Sequence, residues 1–206
     1  DDLFNGSIGT NDDGARDTMD GGADNDTVSF QRASLAGDVT SIVVDLADNG
    51  AKTIVTLNDG VSGDPYIMNI ENVTGTNGDD TITGNNLTNI LSGLDGDDTL
   101  VGEAGDNTLL GGDDDDVLIG GVGNDTLMGG NDFDTVDYSI ITGSGIIVDL
   151  LNQQASTASH GTDRVIDVER VIATQNADSL IGDLAANVLE GGAGDDDISG
   201  LSGQDT

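Results

Sequence analysis

The chain has no cysteine and no tryptophan, one proline, one histidine and only five basic residues. Absence of cysteine excludes a disulfide scaffold and thiolate metal sites. A lone histidine, His160, with no thiol beside it leaves no donor set for zinc. Five scattered cations cannot make the basic footprint that nucleic acid requires. No apolar run approaches the roughly 20 residues of a membrane-spanning helix, which argues against insertion into a bilayer. Aromatic residues are 2% of the chain and apolar residues 35%, thin material for a conventional core. Against the five cations stand 40 acidic residues, a formal net charge of −35 in 206 residues. Self-repulsion on that scale opposes compaction, and these totals by themselves describe a disordered chain. If the chain folds, something must neutralise the carboxylates.

The kind of acid is informative. Only Glu71, Glu103, Glu169 and Glu190 are glutamate; all the other acidic residues are aspartate, accompanied by 32 glycines. Aspartate has the short arm that suits a tight turn, and glycine supplies backbone conformations with positive φ. The two together at this density describe many turns of one kind.

Those turns recur with a fixed period. From Gly75 to Asp137 the chain runs in nines without a gap: GTNGDDTIT, GNNLTNILS, GLDGDDTLV, GEAGDNTLL, GGDDDDVLI, GGVGNDTLM, GGNDFDTVD. Each unit opens with glycine and has Asp or Asn at position six. Position eight is aliphatic throughout: Ile82, Leu91, Leu100, Leu109, Leu118, Leu127 and Val136. Further units are GGADNDTVS from Gly21 and ATQNADSLI, GDLAANVLE and GGAGDDDIS from Ala173 to Ser199, followed by GLSGQDT. Six residues of turn and three of strand, with the middle strand side chain inward, complete one 18-residue coil from two units. Stacked coils would form an all-β parallel roll whose core is a double file of position-eight aliphatics. So thin a core does not offset the entropy of ordering the turns.

The nines resemble the RTX family, whose nonapeptide is G-G-x-G-x-D-x-U-x; GGVGNDTLM and GGAGDDDIS are the best matches. The resemblance implies a calcium-binding β-roll, and the chemistry agrees, because Ca²⁺ takes six to eight hard oxygen ligands. It also implies how the ligands are divided. One turn would give the carbonyls of positions two and four and the carboxylate of position six. The turn one coil away would give carbonyls of positions one and three, with the position-five side chain. The implied ligands are Asp26, Asp80, Asp98, Asp116, Asp125, Asp134, Asp178 and Asp196 at position six, and Asp97, Asp106, Asp115 and Asn124 at position five. Turn carbonyls are implied at Gly78, Gly96, Gly105, Gly112, Gly121, Gly123, Gly192 and Gly194.

Units on the same edge of such a roll lie 18 residues apart. One edge carries Asp80, Asp98, Asp116 and Asp134, and the other Asn89, Asn107 and Asp125. The first is expected to be the loaded column, with GNNLTNILS, which has Leu87 at position four, the poorest site. No stretch matches the EF-hand pattern with its glutamate at position twelve.

Two stretches break the nines, dividing the chain into repeats at 1–29, a strand-rich spacer at 30–74, seven units at 75–137, a second spacer at 138–172, and repeats again at 173–206. The spacers correspond: DTVSF at Asp26 with DTVDY at Asp134, IVVDL at Ile42 with IIVDL at Ile146, and NIENV at Asn69 with DVERV at Asp167. A module of about 100 residues is therefore duplicated. IVVDL, KTIVTL and IIVDLL read as strands, with turns at DNGA and DGVSGDP.

Tandem duplication favours a length-building role, as in an adhesin stalk, a surface-layer protein or a matrix protein. RTX resemblance implies a secreted or cell-surface protein exported by type I secretion, folding on calcium outside the cell. The chain opens without Met and stops inside a unit, which reads as a window on a longer protein. The alternatives are an accessory C-terminal roll of a secreted protease, lipase or polysaccharide epimerase, and a glycan-binding module. Calcium is the expected cofactor, as several ions, and self-assembly and cell-surface glycans are the partners to consider. Ser156, Ser159, His160 and Asp163 lie in a polar loop-like stretch without a nucleophile-elbow motif, so no enzyme activity is expected.

Overall fold

The computed structural model describes residues 3–5, 18–31, 40–46, 53–57 and 66–206. The expected turns DNGA and DGVSGDP, and part of the first repeat block, lie outside these residues. The described residues form an all-β structure of three-residue and slightly longer strands, most of them paired in parallel.

Positions seven to nine of each unit make the strand. Position seven is often β-branched (Thr81, Thr99, Thr108, Val117, Thr126, Thr135), which suits a pleated surface. Position eight points inward, and the side chains from Ile82 to Val136 listed above are fully buried. Alternate units feed opposite sheets. One sheet pairs Leu91 with Leu109 and Leu109 with Leu127; the other pairs Ile82 with Leu100 and Leu100 with Leu118. Both registers are 18 residues, so two nonapeptides make each coil. Position-nine side chains align in the same way, Val101 with Ile119 and Leu110 with Met128, half-buried on the outer faces.

The spacers extend the sheets. In the second, Ile147–Asp149, Gln154–Thr157 and Gly161–Ile166 form an antiparallel meander. Its outer strands are parallel to roll strands, Gly161–Ile166 to Thr126–Gly130 and Ile147–Asp149 to Ser179–Ile181. In the other sheet Thr135–Asp137 pairs directly with Arg170–Ile172. The meander thus adds two strands to one sheet that the other lacks. Tyr138, Ile141, Ile146, Leu150 and Val168 are buried in the same core as the meander's Val148, Ala155 and Val165.

The first spacer repeats this topology. Thr18–Asp20 is parallel to Tyr66–Met68, which is antiparallel to Thr53–Ile54. Thr56–Leu57 is antiparallel to Ile42–Asp45, which is parallel to Thr81–Thr83. The middle strand is interrupted at Val55, so the five-strand set divides between two sheets. Equivalent bonds recur: Phe30 N–H to Thr74 O matches Tyr138 N–H to Ile172 O, and Leu46 N–H to Thr83 O matches Leu150 N–H to Ile181 O. Phe30 and Leu46 thus bond as Tyr138 and Leu150 do.

Candidate metal centre

Position six from Asp80 to Asn187 is buried inside its turn, and in the seven-unit block its side chain ties one coil to the one before. Asp98 Oδ1 accepts the Asp80 N–H at 2.7 Å, Asp116 Oδ1 accepts from Asp98 at 2.9 Å, and Asp134 Oδ1 accepts from Asp116 at 3.0 Å. On the other edge Asn107 accepts from Asn89, Asp125 from Asn107, and Asp178 and Asp196 are linked similarly further on. Asp26 is also buried, its N–H bound to Glu71. Each contact uses one carboxylate oxygen. The second oxygens of Asp98, Asp116, Asp125 and Asp134 are buried with no hydrogen-bond partner. An unsatisfied buried carboxylate oxygen is costly, and four in equivalent places call for a shared ligand.

Position-one glycine follows from this arrangement. A Cβ on Gly93, Gly111, Gly120 or Gly129 would overlap the Oδ2 of Asp98, Asp116, Asp125 or Asp134.

Electrostatics points the same way. Burial, reinforced by neighbouring aspartates, raises the Asp98 carboxyl to about 8. Asp116 is raised to about 7 and Asp134 to about 6, again chiefly by burial. Asp125 is raised by burial as well. Without a cation, burial makes each of these carboxyls harder to ionise than an exposed aspartate.

Turn geometry separates the units into two kinds. In the units opening at 21, 93, 102, 111, 120, 129, 191 and 200, positions two and four both have positive φ. Several of these residues are not glycine: Leu94 (φ 100°), Glu103 (φ 69°), Asp114 (φ 78°), Asp132 (φ 77°) and Leu201 (φ 67°). Left-handed backbone at a non-glycine residue costs about 1–2 kcal/mol. These turns carry strain as well as unsatisfied carboxylates.

In the units opening at 75, 84, 173 and 182, positions two and four are not left-handed. Their position-two side chain closes the turn instead. The Gly78 N–H binds Thr76 Oγ1, Leu87 N–H binds Asn85 Oδ1, Asn176 N–H binds Thr174 Oγ1, and Ala185 N–H binds Asp183 Oδ1. The position-two N–H in turn donates to position six, from Thr76 to Asp80, Asn85 to Asn89, Thr174 to Asp178 and Asp183 to Asn187. Both carboxylate oxygens of Asp80 and of Asp178 are therefore engaged, Oδ1 also accepting from Ile42 N–H and Ile146 N–H respectively. Among the implied carbonyl donors, Gly96, Gly105, Gly112, Gly121, Gly123, Gly192 and Gly194 lie in left-handed turns and Gly78 does not. Left-handed turns occur on both edges, and the self-closed ones form the first coil after each spacer. Turn geometry thus divides along the roll, with both kinds of turn on each edge.

Position-five side chains form an exposed ladder. Asp79 accepts the Asp97 N–H, Asp97 accepts from Asp115, Asp115 from Phe133, and Asp106 from Asn124. Three column-ending residues escaped sequence reasoning. Glu71 and Glu169 accept the N–H of Asp26 and Asp134, and Asp163 accepts that of Asp125. Their signal was a carboxylate in each spacer just before regular nines resume or where they are interrupted. Asp163 also accepts from Tyr138 Oη and is raised to about 6 by burial. It is committed to this contact, while Ser159 and His160 bond each other at 2.7 Å in a neighbouring turn.

Among the described residues no three carboxylate or imidazole side chains converge as a cage. A turn with aspartate at position six supplies one inward carboxylate, so an ion held there draws its remaining ligands from backbone carbonyls. That donor set, all hard oxygen, fits calcium. Asp98, Asp116, Asp125 and Asp134 would hold it, together with carbonyls of the left-handed turns.

Stacked parallel coils of two nonapeptides, with an Asp or Asn at position six of each turn, define a β-roll. The family model for the RTX calcium-binding nonapeptide repeat (4 copies) matches residues 11–28, 70–100, 83–118, 101–136 and 172–206, more than half of the chain, and the chain belongs to that family. No curated protein matches it. Among the described residues no helix is long and apolar enough to cross a membrane.

Proposed function

We propose that this calcium-binding β-roll is a structural segment of an extracellular protein, one that acquires its fold by binding calcium after export. The observation that carries the reading is the row of buried, unpartnered Oδ2 atoms of Asp98, Asp116, Asp125 and Asp134. In a low-calcium cytosol these carboxylates repel one another and the strained turns are unsupported. In millimolar extracellular calcium, where sites of extracellular modules fill at about 10⁻⁴–10⁻³ M, the ions neutralise them and cross-link successive coils. Membership of the RTX family and the duplicated module support a secreted, length-building role of the stalk, surface-layer or matrix type, with no catalytic task for this segment. Export by type I secretion is consistent with a chain kept unfolded until it meets calcium.

Far-UV circular dichroism during a calcium titration, with magnesium as control, tests the proposal. The expected result is a calcium-specific gain of β structure between about 0.1 and 1 mM. A chain equally folded in chelator would overturn it.

A further inference from the structure

The two kinds of turn are not scattered along the chain. Self-closed turns occupy units 75 and 84, the first coil after one spacer, and units 173 and 182, the first coil after the other. The units that follow, from 93 and from 191, are left-handed at positions two and four. The sequence distinction is at position two. Thr76, Asn85, Thr174 and Asp183 stand where Gly, Leu or Glu occurs in the following units, and their oxygen binds the position-four N–H.

We infer that each module carries a coil that needs no calcium, in which the position-two side chain replaces the ion, and that this coil with its spacer is a preformed template for the calcium-dependent coils. Thr76 and Thr174 are fully buried, as a closing residue in a dry turn should be. Thr76 Oγ1 contacts both Gly78 and Asp80, and Thr174 Oγ1 lies 2.9 Å from Asp178 Oδ1. The position-six oxygens of these coils are engaged within the protein, whereas the Oδ2 atoms of Asp98, Asp116 and Asp134 are not.

The self-closed coil also sits directly on the spacer. Thr81–Thr83 pairs with Ile42–Asp45, and Ile90–Asp95 with Asn72–Thr74. In the second module Ser179–Ile181 pairs with Ile147–Asp149, and Val188–Glu190 with Arg170–Ile172. The spacer supplies the wider apolar cluster that the roll lacks, including Phe30, Ile70, Tyr138, Ile141 and Leu150. A hydrophobic platform and metal-free turns thus coincide, and the opposite edge of that coil offers a parallel strand template to the next. Calcium then propagates an existing roll and need not nucleate one, which removes the costliest step from folding on export.

The inference rests on the calcium-folding reading, and hydrogen exchange on the intact 206-residue chain separates the two. In chelator, amides of Thr81–Thr83, Ser179–Ile181 and Val188–Glu190 should exchange at least about tenfold more slowly than those of Thr99–Val101 and Val117–Ile119. In saturating calcium both sets should be protected. Protection of both sets in chelator would sink the calcium-folding reading. Exposure of both in chelator, restored together by calcium, would leave that reading standing and overturn this one. A second arm uses Thr76→Val, which keeps the shape and removes Oγ1, beside Thr76→Ser. The valine variant should lose chelator-state protection at Thr81–Thr83 with no change in calcium bound per chain by native mass spectrometry, and serine should restore it. Loss of one bound calcium in the valine variant would place an ion at that turn and overturn the inference.

Discussion

Coils 75–92 and 93–110 are neighbours of equal length, paired in register and built on fully buried aliphatics, Ile82 and Leu91 in one and Leu100 and Leu109 in the other. They differ in how their turns are held. In the first, Thr76 and Asn85 satisfy the position-four N–H and position six closes on position two. In the second, Leu94 and Glu103 are left-handed, and the second carboxylate oxygen of Asp98 is buried without a partner. A tight turn in this roll can be stabilised by its own side chain or by an external cation. The choice is made by a single residue per turn, and it converts one coil from self-sufficient to conditional.

The largest effect expected from breaking this comparison is at Gly93. A Cβ there overlaps Asp98 Oδ2, so Gly93→Ala should displace the carboxylate and cost at least about tenfold in the calcium midpoint. Ile140→Ala, at an exposed side chain of the second spacer, is the control and should leave the midpoint within about twofold. An unchanged Gly93→Ala titration would break the assignment of Asp98.

Core truncation sharpens the contrast. Leu91→Ala and Leu109→Ala should each cost about 2–5 kcal/mol in saturating calcium, measured by chemical denaturation, since both side chains are fully buried. In chelator only Leu91→Ala should still be felt, because Leu109 belongs to a coil that is then unfolded.

Asp116→Asn should act with opposite signs in the two conditions. With calcium, loss of a charged ligand weakens binding. In chelator at pH 8 it should raise the melting temperature of any residual roll, because a carboxyl pushed to about 7 by burial is costly to ionise there.

The pH dependence in chelator follows the same sign. Asp98, Asp116 and Asp134 are raised to about 8, 7 and 6 from 3.8, so their contribution to the metal-free fold is fully present below about pH 4. It is lost as pH rises through 6 to 8. Metal-free β structure over 93–137 should therefore increase on acidification, and calcium loading near pH 7 should release protons, measurable from the buffer dependence of the binding heat. The smallest effect is expected at Arg170, whose pair with Glu190 is exposed at 2.5 Å; Arg170→Ala should cost under about 1 kcal/mol.

Much of this was legible in the residues. Aliphatics every nine positions specified an inward file, glycine at position one specified room for a buried acidic side chain, and matched spacer strings specified a duplicated module. The inventory of ligands was less legible, because Asp80 and Asp98 look identical in a repeat alignment. What distinguishes them is four residues upstream, at Thr76 and Leu94, and it appears only when the turn's hydrogen bonds are traced. Likewise Asp163 reads as a polar loop residue until the meander carries it under Asp125 to end a column.

Period, handedness of the turns and the demand for a neutralising cation are local properties, set by residues within one nonapeptide, and the sequence by itself determined them. Which coil or spacer residue each position-six group is tied to, and where each column ends, depends on what the fold lays beside it. Only the tertiary structure decided that, because the contacts span 18 to 45 residues and no nine-residue window contains both partners.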